Sequence, residues 1–159
     1  MELDSLFGLP AHPLIVHGAV VLVPIAVLSF VLTGWRAVWR KQFGLIIASA
    51  AVLGWLFAFL ASQTGEPLQE HVRKVAAAAG QPRPRFGEHP ELGNTAAFLS
   101  FVSAVAMVGF YASERWLPAR FRSRWLTPSL YAGATLLGLV TLLWIVRAGH
   151  SGAQLAWGK

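Results

Sequence analysis

No cysteine occurs among the 159 residues. Disulfides, thiolate-bound metals and a cysteine nucleophile are thereby excluded. Charge is nearly as scarce. Asp, Glu, Lys and Arg make up 13% of the chain, against roughly 25% in an ordinary soluble domain. So small a share leaves too little polar surface to cover a globule in water, which counts against a soluble all-α domain. Acidic residues are the scarcer sign, 7 against 13 Lys and Arg. A basic balance can serve nucleic acid, but here the cations flank apolar runs instead of alternating with surface aromatics. Nucleic-acid binding is set aside, and anionic lipid is the expected partner of that charge. The opening MELDSLFGLP also lacks the basic flank of a cleavable signal peptide. The first apolar run is therefore expected to stay in the mature protein.

What the chain has in quantity is long apolar sequence. Residues 14–33, 43–62, 95–112 and 130–146 are each nearly free of charge, and each is long enough to cross a hydrocarbon core of about 30 Å. The expected fold is all-α: an integral membrane four-helix antiparallel bundle, with residues 1–159 forming a single transmembrane domain. Pro24 falls inside the first run, where a kink is expected. After the second run, Gly65 reads as a stop and Pro67 as a restart. Leu68, Val72, Val75 and Ala79 recur at helical spacing, which predicts a short amphipathic surface helix over about 67–79 in the central loop. Gly149 is expected to stop the fourth helix. The small residues Gly54, Ala58, Ala104, Gly109, Gly133 and Gly138 suit close helix packing in lipid.

Four antiparallel spans place both termini and the central loop on one side and the two short loops on the other. The short-loop side carries Arg36, Arg40, Lys41, Arg115, Arg120, Arg122 and Arg124 against Glu114 alone. Short loops rich in Lys and Arg stay cytoplasmic. The predicted location is thus the bacterial cytoplasmic (inner) membrane, multi-pass, with both termini outward. Trp35, Trp39, Trp116 and Trp125 flank the inner ends of the spans, as interfacial aromatics do.

The polar residues then divide unevenly. His12, His17, His71, His89 and His150 all fall on the outward side, with Glu66, Glu70 and most other carboxylates. His12 and His89 each precede a proline that suits a first helical turn. His17 lies just over one turn further in, where an unpartnered imidazole forfeits its hydrogen bonds to water, a cost of about 1–3 kcal/mol. The ordinary reading is that longer outward segments simply hold more polar residues, and that Glu70 with Lys74 is a common i,i+4 pair. The sharper reading is a metal site. Imidazoles with carboxylates suit zinc, copper, iron or manganese. His17, His89 and His150 would be ligands from three spans, joined by Glu66 and Glu70. Arg147 would act as an outer partner holding a carboxylate, and His12 as the helix cap.

The stretches HPLIVH (12–17), TGEPLQEHV (64–72), HPELGN (89–94) and RAGHSGAQLAW (147–157) resemble the bacterial membrane family known as domain of unknown function 2231. The resemblance covers nearly the whole chain and implies a four-helix membrane protein without an established biochemical function. Some relatives carry Rieske or cytochrome-like modules, which implies redox company; this chain lacks the cysteines a Rieske centre needs. Gly18 stands where many relatives carry an aromatic residue.

Three readings follow. The leading one is an outward-facing His/carboxylate cluster binding a transition metal, zinc, copper or iron, in a redox setting. The second is haem b held by two axial histidines, with Arg147 near a propionate. The third is a structural membrane subunit with no cofactor. A redox membrane partner or a homo-oligomer is expected as company, and a stand-alone enzyme is not. Ser151 beside His150 offers no recognisable oxyanion hole, and no charge lies deep enough in a span to mark an ion path.

Overall fold

The computed structural model describes residues 5–6, 9–118 and 124–158; Arg120 and Arg122 lie outside them. A two-residue antiparallel ladder, β1 (Ser5–Leu6) with β2 (Leu9–Pro10), pairs Ser5 with Pro10 and Leu6 with Leu9. Four helices follow: α1 (Ala11–Thr33), α2 (Ala37–Ala78), α3 (His89–Trp116) and α4 (Leu126–Trp157). All four are long and apolar enough to cross a membrane. Each helix packs on the next in sequence, and α1 closes the ring on α4. Many more of their large apolar side chains are exposed than are buried: Leu45 is 82% exposed, Ile46 67% and Leu136 67%. Such a surface is stable only where lipid covers it, because every backbone polar group is already satisfied inside a helix.

The helical stretch expected at 67–79 is present, but as the last turns of α2 and not as a separate surface helix. α2 runs unbroken for 42 residues, about 63 Å at 1.5 Å per residue, twice a hydrocarbon core. Proline already has a helical φ, so Pro67 removes one hydrogen bond without forcing a break, and exposed Gln63 can give its freed carbonyl to water. α1 likewise continues through Pro24. α4 continues through Gly149, where a Cβ would stand at ordinary contact distance, 3.8 Å, from Val20 Cγ1 of α1. At Gly18, by contrast, the Phe57 ring of α2 fills the space a side chain would take.

Burial repeats between the two hairpins. Ala19, Val23, Ala26, Val27 and Phe30 are buried in α1, and Ala96, Ser100, Ser103, Ala104 and Met107 are buried in α3 at the same distances beyond His12 and His89. Ile47, Ala51, Gly54 and Ala58 precede Thr64 in α2 as Ala134, Gly138, Thr141 and Ile145 precede Ser151 in α4, and all are buried. Contacts repeat as well. The space beside Gly34 at the end of α1 is taken by Tyr131 of α4, and the space beside Gly44 of α2 by Tyr111 of α3, two pairs that exchange under the same correspondence. The two helical hairpins thus repeat one pattern of buried positions, α1 corresponding to α3 and α2 to α4.

The two ends differ. At one, Phe30, Phe110, Tyr111 and Tyr131 pack ring to ring with centroids 5.2–6.0 Å apart. Beside them the Arg40 guanidinium donates to Glu114 Oε2 from Nε (3.1 Å) and Nη2 (3.0 Å), and to the Gly34 carbonyl from Nη1 (3.0 Å). Thr127 donates to the other carboxylate oxygen at 2.9 Å. This knot joins all four helices. The other end carries the histidines.

Candidate functional site

His12 and His89 begin α1 and α3, diagonal helices, and their rings meet edge to face with centroids 6.3 Å apart and planes at 86°. Each ring leans on the helix that pairs with its own. His12 Nδ1 lies 3.0 Å from the Ala61 carbonyl and 3.2 Å from Thr64 Oγ1. The carbonyl can only accept and the Thr64 hydroxyl points its proton at Leu60 or Ala61, so Nδ1 carries the hydrogen. His89 Nδ1 lies 2.9 Å from Ser151 Oγ, whose own proton goes to the Ala148 carbonyl at 2.9 Å. The same reasoning makes His89 Nδ1 the donor. Both imidazoles, when neutral, therefore carry their free lone pair on Nε2.

The supports occupy equivalent places in the two hairpins: Ala61 and Ala148, Thr64 and Ser151, Gly65 and Gly152. Thr64 and Ser151 both turn their hydroxyls back on the carbonyl three residues earlier. Of these glycines, Gly152 makes room. A Cβ at Gly65 would stand 3.5 Å from His12 Cε1, an ordinary contact, whereas one at Gly152 would stand 2.9 Å from His89 Cε1 and collide.

The expected ligand set does not converge. His17 is exposed, and its Nδ1 donates to the Pro13 carbonyl of its own helix at 2.6 Å. It lies five residues beyond His12, about 140° around the helix, so with His12 facing inward His17 must face out. The places expected for these two residues are thus reversed. His150 is exposed one position before Ser151, and Glu66 two positions after Thr64; each is rotated off the face that carries its neighbour. Glu70 is exposed and pairs with Lys74 at 2.8 Å. Arg147 is exposed and lies 5.5 Å from the Trp144 ring centroid. Among the described residues no group of three or more His, Asp or Glu is placed to hold a metal ion.

Of the seven residues singled out from the sequence, the structure brings together His12 and His89. Thr64, Ser151 and the carbonyls of Ala61 and Ala148 were not foreseen as their partners. The signal was available in the spacing: His-Pro opens both hairpins and a hydroxyl residue followed by glycine, Thr64–Gly65 or Ser151–Gly152, closes both.

No curated protein and no solved structure matches the chain. The family described as "Predicted membrane protein (DUF2231)" matches residues 8–159, a stretch that takes in all four helices and both His-Pro pairs. By that match the chain belongs to the domain of unknown function 2231 family of membrane proteins.

Proposed function

We propose that His12 and His89 together ligate one transition-metal centre, iron or copper, and that the bundle is its mount in the membrane. One observation carries this reading: each ring fixes its Nδ1–H on an oxygen of the neighbouring helix and keeps Nε2 for another partner. Metal-bound histidines are oriented in this way, because the second hydrogen bond sets the tautomer and raises the basicity of the ligating nitrogen. The donor set fits some groups and not others. Two imidazoles from diagonal helices would suit a haem iron or a two-coordinate copper ion, with His12 and His89 holding it. They do not satisfy zinc, which takes three or four protein ligands. When bound, such a centre would supply one-electron chemistry. The chain's part is to hold two neutral imidazoles at fixed orientation and to shield them with helix ends. By the distribution of Lys and Arg, this end faces outward.

The test is an absorption spectrum with elemental analysis of the purified protein and of four single variants. A Soret band selects haem, and stoichiometric copper or iron without one selects a bare ion. Either should vanish in His12→Ala and His89→Ala and persist in His17→Ala and His150→Ala. Absence of any bound metal from the wild-type protein, purified from cells supplied with iron and copper, overturns the proposal.

A further inference from the structure

The segment GQPRPRFGE (80–88) plays no part in the histidine pair, yet it is built with care. α2 ends at Ala78, and the chain turns at Gly80, with its N–H on the Ala77 carbonyl (3.1 Å) and that of Gln81 on Ala76 (2.9 Å). Gly80 and Gly87 have φ of +66° and +54°, values that other residues rarely adopt. Between them Pro82 and Pro84 stiffen the stretch that carries Arg83 and Arg85. Arg73, Arg83 and Arg85, with Pro82, Pro84 and Phe86, line a cavity of about 660 Å³. The Arg73 guanidinium stacks on Phe86 at 5.3 Å, and its Nε is buried without a hydrogen-bond partner. Of the nearby carboxylates, Glu70 pairs with Lys74 at 2.8 Å and also lies in the field of Arg73, and Glu88 is exposed.

We infer that this cavity binds a phosphate group, carried either by a lipid headgroup or by a soluble phosphate. Three guanidiniums around one cavity repel one another unless an anion joins them, and their planar donors match phosphate oxygens in pairs. The stiff loop lowers the ordering cost of binding. The segment also leads directly into His89 at the start of α3.

Two probes of the full-length protein test this. Native mass spectrometry from nanodiscs of phosphatidylcholine with a minority of phosphatidylglycerol reads the lipid source. Phosphorus NMR of detergent-solubilised protein titrated with inorganic phosphate reads the soluble one. Wild-type protein should retain phosphatidylglycerol above its bulk share, or broaden the phosphate signal, or both. Arg73→Gln/Arg83→Gln/Arg85→Gln should lose that binding by about tenfold or more, as expected for several charge-assisted contacts. Arg83→Gln/Arg85→Gln alters exposed positions alone and guards against misfolding; it should weaken binding in the same probe. Binding by wild type to neither probe, or equal binding by wild type and the folded double variant, overturns the inference.

Discussion

Gly152→Ala separates the site from the stability of the bundle. The added Cβ would stand 2.9 Å from His89 Cε1 and 3.5 Å from both ring nitrogens. The ring cannot swing away freely, because Nδ1 is tied to Ser151 at 2.9 Å. Relief therefore requires a shift of several tenths of an ångström that stretches or breaks this hydrogen bond, a loss of about 1 kcal/mol. The same substitution gains about 1 kcal/mol of helix propensity within α4. Thermal stability should thus change by less than about 1 kcal/mol while His89 loses its orientation. Gly65→Ala is the control. Its Cβ would lie 3.5 Å from His12 Cε1, within ordinary contact, so His12 should stay in place. Nitrogen-15 histidine NMR reads the outcome, since the Nδ1–H tautomer and its hydrogen bond are visible in the ring shifts. The His89 resonances should move in Gly152→Ala, and the His12 resonances should not move in Gly65→Ala. Metal or haem content should follow the same order. Unmoved His89 resonances in Gly152→Ala would refute the packing argument, whatever the site binds.

Ser151→Ala should destabilise the protein by about 1 kcal/mol in thermal unfolding, because it removes one hydrogen bond of the half-buried His89 ring, which keeps the Ala148 carbonyl. Thr64→Val should cost about as much, since His12 likewise keeps the Ala61 carbonyl. At the opposite end, Glu114→Ala leaves Arg40, whose side chain is 12% exposed, without its carboxylate. The expected loss is about 1–3 kcal/mol, below the range for a fully buried pair because Glu114 is partly open to solvent. Arg40→Lys should restore little of the grip, since one ammonium cannot reproduce donation from three guanidinium nitrogens. For orientation, single cysteines at Gln81 and Pro118 are probed on whole cells with an impermeant thiol reagent. Labelling is expected at the first and not the second, and the reverse pattern would invert the assignment of inside and outside.

The elements were easier to read than the assembly. Apolar run length located four helices because a membrane span is set by local composition, and a stretch such as 14–33 needs no partner to be recognised. Helix ends were less legible. Gly65, Pro67 and Gly149 carry the signals of termination, yet each sits inside a longer helix, because packing against neighbouring helices outweighs the local preference of single residues. The histidines show the same division. That His12 and His17 could not share one face followed from helix geometry alone. Which of them faced inward depended on the rotation of α1 against α2.

The sequence by itself determined the membrane-spanning class, the number and order of the helices, and the gathering of His12 and His89 at one end, since alternating spans carry every second boundary to the same side. Only the tertiary structure decided that these two rings meet, that His17, His150, Glu66 and Glu70 do not join them, and that Thr64 and Ser151 are their supports. The reason is rotational. Composition fixes how deep a residue lies along a helix, but the direction its side chain takes is set by which stripe packs. In lipid that stripe is chosen by small residues and hydrogen bonds between helices, not by hydrophobicity.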